Sequence, residues 1–337
     1  MIRPETIGTR EGLPGRKGPP GPDGAPSWWL RDAPLGPLSN YRSGGVARWL
    51  VVPRTEEEFA EAIAFARAGG WPWIVLGGGT NTLISDGSFD GVVLSTEAWI
   101  HRTVHEDGRI VARAGTSLRT LIGAALANGF AGLEGFIGIP GTIGGAVWGN
   151  AGGATGGIAP WVESITLLEE DGTRAIVAGD TLPWAYRESG LGARTILEVT
   201  LRLQPGAPPA ELRAHAMEVY ERKQATQPLH ARSAGCVFRN PDGDSAGRLI
   251  ETAGLKGARI GDAIVSEQHA NFIVNSGAAS STDIERLIER VRDAVRRIHH
   301  VRLQREIIVA GTAGAGVARS IEHLRSEHLP SGGEGTR

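Results

Sequence analysis

The apolar residues of this chain change period repeatedly, and each change marks an element. In TEEEFAEAIAFARAGG (55–70), Phe59, Ile63 and Ala66 fall on one helical face. Thr55 caps that helix, Glu58 completes a capping box, and Gly69 or Gly70 ends it. The apolar runs WLVVP (49–53), WPWIVLGGG (71–79), GVVLS (91–95) and RIVARAG (109–115) have strand length, and a helix is expected from Ser117 to Asn128. VESITLLEEDGTRAIVA (162–178) reads as a hairpin turning at Asp171-Gly172, with TILEVTLRLQ (195–204) as the next strand.

A second set of elements begins near Pro208. Helices are expected over 209–224, ending before Pro228, and over AGRLIETAG (246–254). AIVSEQHANFIVNSG (263–277) holds at least one strand. Thr282 and Glu285 form a capping box at the start of a long helix, in which Ile284, Leu287, Ile288, Val291, Val295 and Ile298 share one face. LQREIIVAG (303–311) reads as a closing strand. Helices and strands mixed in two regions that meet near residue 207 predict an α+β fold.

Composition narrows the function. The 337 residues fit two domains, and 41% hydrophobic content supplies a core. A net charge of −2 implies no nucleic-acid partner. No apolar run approaches the ~18 residues of a membrane span, so no membrane insertion is expected. The N-terminus MIRPETIGTREG lacks the apolar stretch of a signal peptide, which points to the cytoplasm. The single cysteine, Cys236, excludes an internal disulfide framework and a cysteine-based metal site, and no metal is expected. Lysine is confined to positions 17, 223 and 256, a bias attributed to genomic base composition.

Glycine is in excess, at 49 residues, and its distribution carries information. Gly12, Gly15, Gly18, Gly21 and Gly24 have collagen spacing but only five triplets, so residues 1–34 read as a disordered Gly/Pro-rich tail, and 312–337 as another. Leu76-Gly77-Gly78-Gly79-Thr80-Asn81 follows a buried strand; it is either a plain turn or a cradle whose bare N–H groups point at an anion. The dinucleotide fingerprint would need glycine at position 82, which is Thr82. Residues 115–157 hold 14 glycines in 43 positions, interleaved with Phe136, Ile137, Ile139, Ile143, Val147 and Trp148. That pattern favours an ordered, buried loop with backbone against a flat or phosphorylated ligand. Arg187 in YRES, Cys236 in SAGCVFRNP and Glu306 near the end are each unremarkable alone, and spacing does not bring them together.

Seven segments together resemble one family. VLGGGTNTLISDGSFDGVVLS (75–95), AGLEGFIGIPGTIGGAVWGNAGGATG (131–156), YRES (186–189), SAGCVFRNP (233–241), AGRLIETAGLKG (246–257), HANFIVN (269–275) and REIIVAG (305–311) are similar, in order and spacing, to the UDP-N-acetylenolpyruvoylglucosamine reductases of peptidoglycan synthesis. The resemblance implies an FAD-binding domain of the vanillyl-alcohol-oxidase (PCMH) type over 35–206 and a smaller α+β substrate-binding domain over 207–311. The short link from Ser189 to Thr195 is similar to the family's second structural type, which lacks an extra substrate-covering loop. FAD would be held without a covalent bond by Gly77, Gly78, Gly79, Thr80, Asn81, Ile139, Pro140, Gly141, Thr142, Gly144, Gly145 and Asn150. NADPH would reduce FAD and leave, and UDP-N-acetylglucosamine enolpyruvate would take its place and be reduced to UDP-N-acetylmuramate.

By the same resemblance Arg187 would stabilise the developing charge, Cys236 would donate the proton, and Glu306 would stand at the carboxylate. From their place beside Cys236, Arg239 and Asn240 either bind the UDP phosphates or carboxylate of the substrate or are a solvated arginine beside a turn-forming Asn-Pro, and His269 is expected to serve structure. Many family members carry serine where this chain has Cys236; a thiol is the better acid. Two other readings remain open from the residues alone. One is an FAD-dependent hydroxy-acid or alcohol oxidoreductase of the same fold, which has no reason to keep Arg187, Cys236 and Glu306 as a set. The other is a nucleotide-binding scaffold without chemistry.

Overall fold

A computed structural model describes residues 24–153 and 156–311. In chain order its strands begin with β1 (Leu30–Pro34), β2 (Val46–Val51), β3 (Trp73–Leu76), β4 (Thr82–Ile84), β5 (Ser88–Ser95), β6 (Arg102–Val104) and β7 (Arg109–Arg113). Two short glycine strands follow, β8 (Gly152–Gly153) and β9 (Gly156–Gly157), then β10 (Val162–Leu168), β11 (Arg174–Ala178) and β12 (Thr195–Arg202). The last are β13 (Arg259–Ile260), β14 (Ala263–Val265), β15 (Ile273–Asn275) and β16 (Ile308–Ala310). The helices are α1 (Glu56–Ala68), α2 (Leu118–Ala127), α3 (Ile143–Trp148), α4 (Pro209–Thr226), α5 (Ala246–Thr252) and α6 (Ser281–His299).

Two sheets make the first unit. One has the order β1-β2-β5-β3, with β2, β5 and β3 parallel and β1 antiparallel at its edge. The other, β11-β10-β12-β7-β6, is antiparallel throughout. Helices α1 and α2 bury Phe59, Ile63, Leu118 and Leu121 between and beside these sheets. The expected hairpin is β10–β11, and Gly172 at its turn has φ +83°. Thr55 caps α1 by accepting from the Glu58 N–H, while the Glu58 carboxylate reaches back one residue further, to the Arg54 N–H.

The structure moves several sequence-based boundaries. Residues 1–23 and 312–337, which contain most of the expected tails, lie outside the described residues. The first tail ends before residue 34, because Leu30–Pro34 is an edge strand paired with β2. The preceding Trp29 packs edge-on against Phe65 of α1 at 4.9 Å between ring centroids, which ties the segment down. The packing also changes core after α4, not at residue 207. Leu212 and Ala216 of α4 belong to the first core, with the helix lying on α2 and the turn at Glu134–Phe136. A second core, around α5, α6 and the β13-β14-β15 sheet, starts with Ala234 and takes in Tyr41 and Leu83 from the first unit.

The start of α6 is capped two residues earlier than expected. Ser280 and Asp283, not Thr282 and Glu285, form its capping box. Asp86 of the first unit supplements that cap: its carboxylate accepts from the Ser281 and Thr282 N–H groups at 2.9 and 2.7 Å. The expected closing strand at 303–311 shrinks to Ile308–Ala310. It closes no sheet of the second unit; it returns to the first and pairs in parallel with β4.

Candidate active site

A cleft of about 1120 Å³ lies between the two units. That is at the upper edge of ordinary small-molecule pockets and suits a dinucleotide together with a second ligand. Its floor is the turn at Gly77–Asn81 that β3 runs into, pressed against the loop at Ile139–Thr142. The two backbones touch because side chains are missing. A Cβ on Gly77 would sit 2.7 Å from Thr142 Oγ1, and one on Gly78 would sit 3.2 Å from the Gly141 Cα. Gly141 itself has φ +116°, and a Cβ there would reach 2.7 Å from Thr80 Oγ1. The N–H groups of residues 77–81, Gly141 and Thr142 have no hydrogen-bond partner among the described residues. Clustered, unpartnered N–H donors in a glycine-lined concavity fit an anion such as a pyrophosphate.

The remaining glycines act differently. The Gly144 N–H is spent on the Ala114 carbonyl at 2.9 Å, and the Gly145 N–H on Thr142 Oγ1 at 3.3 Å, where Thr142 caps α3. Their contribution is close packing: a Cβ on Gly144 would meet that of Ala114 at 2.7 Å. The region expected to be an ordered loop therefore contains a one-and-a-half-turn helix, α3, hidden by two glycines that lower its helix propensity.

At the far end of the turn the chain brings together three residues distant in sequence. Asn81 accepts the Ile308 N–H through its carbonyl at 3.0 Å, which places the segment before β16 beside the cradle. Glu306, two residues ahead of β16, accepts from Arg187 Nε at 2.6 Å. Arg187 Nη1 also donates to the Gly152 carbonyl at 3.0 Å. Cys236 lies alongside, bridged to Phe272, and all three residues line the cleft. The Glu306 and Val237 backbones are joined by an N–H to carbonyl bond of 2.8 Å, so Cys236 and Glu306 are on adjacent segments.

Burial sets the electrostatics. It pushes the Glu306 carboxyl above the usual carboxylate range, with Arg187 and then Arg239 pulling back. Burial also pushes the Cys236 thiol up, and the Glu306 charge adds to it; Arg187 and the Asn271 hydrogen bond oppose them, leaving the thiol at about 12. Cys236 is therefore a neutral proton holder near pH 7, while the guanidinium keeps its charge. Arg187 sits at φ +61°, in the left-handed region, as the third residue of the Ala185–Glu188 turn. Such a conformation costs a non-glycine residue about 1–2 kcal/mol.

Some expected site residues lie elsewhere. Asn240 does not line the cleft: its Oδ1 accepts the Ala246 N–H at 3.0 Å at the start of α5. Arg239 is also outside the lining; it donates to Glu188 at 3.1 Å and reaches Glu306 through its field. Asn150 is outside the lining too, with its amide bonded to Ala185 and Ala159. His269 packs edge-on against Phe272, and its Nδ1 accepts the Asn271 N–H.

One residue was missed. Lys223, near the end of α4, lines the cleft and donates to the Gly135 and Ile137 carbonyls at 2.8 Å each. Burial brings its ammonium down to about 8. The signal was its scarcity, as one of three lysines in a chain that otherwise uses arginine.

Comparison with known proteins agrees with this geometry. The description "FAD binding domain" matches residues 47–177, and "UDP-N-acetylenolpyruvoylglucosamine reductase, C-terminal domain" matches 227–310. The UDP-N-acetylenolpyruvoylglucosamine reductase of Moorella thermoacetica is 42% identical over 84% of this chain and 93% of its own length. That of a Synechococcus strain is 41% identical over 83% of this chain and 90% of its own. The crystal structure of the MurB reductase from Thermus caldophilus superposes with a TM-score of 0.71 at 35% identity, covering 83% of this chain and 98% of that one. This chain belongs to the UDP-N-acetylenolpyruvoylglucosamine reductase family.

Proposed function

We propose that Arg187, Cys236 and Glu306 carry the chemistry by which this chain reduces UDP-N-acetylglucosamine enolpyruvate to UDP-N-acetylmuramate, the family's step in peptidoglycan synthesis. Bound in this cleft, FAD would supply the hydride chemistry that links NADPH to the β-carbon of the enolpyruvyl ether. The chain's residues do the rest. Unpartnered N–H groups at 77–81, Gly141 and Thr142 hold the pyrophosphate, and Ile139 and Pro140 complete that wall. Gly144 and Gly145 let α3 pack closely enough to put the wall in place.

Hydride addition to the alkene leaves negative charge delocalised toward the substrate carboxylate. Arg187 supplies a fixed cation for it, aimed by the 2.6 Å bond to Glu306. Glu306 stands at the carboxylate end. The Cys236 Sγ–H donates its proton to the α-carbon, and the thiolate left behind is reprotonated from solvent. Burial and the Glu306 charge, which push the thiol up, favour that return of the proton. Substrate contacts by Arg239 and Asn240 are not part of this proposal, because neither lines the cleft.

The observation that carries the reading is the convergence of positions 187, 236 and 306 beside a glycine-built anion cradle. A cytoplasmic setting fits it: among the described residues no helix is long and apolar enough to cross a membrane, and Cys236 is unpaired. The test is spectroscopic. FAD-loaded protein should lose its flavin absorbance on addition of NADPH and regain it anaerobically on addition of the UDP-enolpyruvyl sugar. Recovery with hydroxy-acid or alcohol oxidation products instead would favour the oxidoreductase alternative. Absence of bleaching by NADPH would favour the scaffold.

A further inference from the structure

We infer that Asn150 is a positioning residue for Arg187: its side-chain amide ties off the strained turn that carries the guanidinium. The inference deepens the proposed function and rests on its assignment of Arg187.

The turn at 185–188 closes through two backbone bonds, Ala185 N–H to the Glu188 carbonyl at 3.0 Å and the reverse at 3.1 Å. Arg187 occupies its third position at φ +61°, where glycine is the usual residue. An exposed turn of that kind would relax, and the guanidinium with it. Here the Ala185 carbonyl accepts a second bond, from Asn150 Nδ2 at 2.8 Å. The Asn150 Oδ1 is fixed in turn by the Ala159 N–H at 3.2 Å. The amide can therefore neither flip nor swing without breaking one bond or the other.

Neighbouring residues of the same segment hold the rest of the turn. The Ser189 hydroxyl donates to the Trp148 carbonyl at 2.8 Å, and Arg187 Nη1 donates to the Gly152 carbonyl at 3.0 Å. Residues 148, 150 and 152 thus grip residues 189, 185 and 187. Gly157 completes the arrangement: a Cβ there would lie 2.3 Å from Asn150 Oδ1. Asn150 itself has φ +40°. Asparagine tolerates that region, so a mere turn-former is the competing explanation. The two differ in what glycine would do. Glycine accepts φ +40° at least as readily and deletes only the amide.

The test uses FAD-loaded enzyme and compares wild type, Asn150→Gly, Asn150→Asp and Arg187→Lys. Asn150→Asp keeps the size and the acceptor but loses the donor to Ala185. Three quantities are read: flavin affinity, the rate of flavin reduction by NADPH, and the anaerobic rate of reoxidation by the UDP-enolpyruvyl sugar. Both Asn150 variants should keep the first two within about twofold and slow the third roughly 10- to 100-fold, the usual effect of misplacing a catalytic group by about 1 Å. Adding Asn150→Gly to Arg187→Lys should slow reoxidation little further. Wild-type reoxidation in Asn150→Gly would overturn the inference. So would loss of flavin affinity with normal reoxidation of the loaded fraction, which would make Asn150 a cofactor residue. A wild-type rate in Arg187→Lys would remove the assignment beneath it, whereas slow Arg187→Lys beside normal Asn150→Gly would defeat this inference alone.

Discussion

Cys236 is the only cysteine in the chain, so its acidity can be measured with no other thiol in the background. Burial and the Glu306 charge raise the thiol from the ordinary 9.0 to about 12. At pH 8 that difference lowers the thiolate population about a thousandfold relative to an unperturbed cysteine. The rarer thiolate is also more basic and attacks a disulfide about 20-fold faster, from a Brønsted slope of about 0.4–0.5. The net expectation is reaction with 4,4′-dithiodipyridine about 50-fold slower than a free thiol at pH 8. Restricted access would also slow the reaction, but it does not alter its pH dependence. The rate should keep rising about tenfold per pH unit through pH 10, while a free thiol levels off near 9. Glu306→Gln removes a charge that opposes ionisation, so it should speed the reaction and move the levelling-off to lower pH. A plateau in the wild-type protein between pH 8 and 10, or a Glu306→Gln variant no faster than wild type, would refute the electrostatic account of the site.

Other expectations follow from the same geometry. Cys236→Ser should largely preserve single-turnover reoxidation and Cys236→Ala should stall it; equal rates in Cys236→Ala and wild type would end the proton-donor assignment. Gly141→Ala places a Cβ against Thr80 at a backbone conformation unsuited to alanine, so flavin affinity by fluorescence titration should fall, with about 1–3 kcal/mol lost from stability. Asp86→Ala should cost about 1 kcal/mol by chemical denaturation at pH 7, the usual value of a helix cap. Burial pushes the Asp86 carboxyl up, but its bonds from Thr282 and Ser281 outweigh that and hold it below the ordinary range. A depressed carboxylate stabilises the fold above its unfolded pKa of about 3.9 and stops doing so as pH falls through the folded value. The gap between wild type and Asp86→Ala should therefore close as the pH is lowered below about 4.

The elements that periodicity shows best were those whose burial faces are long and regular. Helix α6, with seven buried positions on one face, is unmistakable, and so is the β10–β11 hairpin with its Asp-Gly turn. Short elements held by distant partners were not legible. Strand β1 has no apolar alternation and exists because Trp29 docks on α1, and β16 is three residues long because its partner is β4. The division of cores was missed because α4 has too weak an apolar stripe to show which unit it joins.

At the site, the glycine turns announced themselves, since close backbone approach leaves a compositional trace. Asn150 and Asn240 look alike in sequence, each beside a small or turn-forming residue, and only the direction of their amides shows that both are committed to backbone. Arg187, Cys236 and Glu306 carry no local signal of their proximity. Their encounter depends on how two sheets and a returning strand are arranged, and a family resemblance supplied what spacing did not.

The return of β16 to β4 also has a consequence for biosynthesis. The residues flanking the cofactor turn find their partner more than two hundred positions later in the chain. At roughly 5–20 residues per second, a ribosome needs some 10–45 s to make that stretch. In the later part of that interval, once β12 has been made, both sheets of the first unit have all of their strands, yet β4 is unpaired and Glu306 has not been made. Pairing of β4 and arrival of the Glu306 carboxylate are thus one event. A chain that stops short of residue 306 therefore lacks the partner of β4 and the Glu306 carboxylate together.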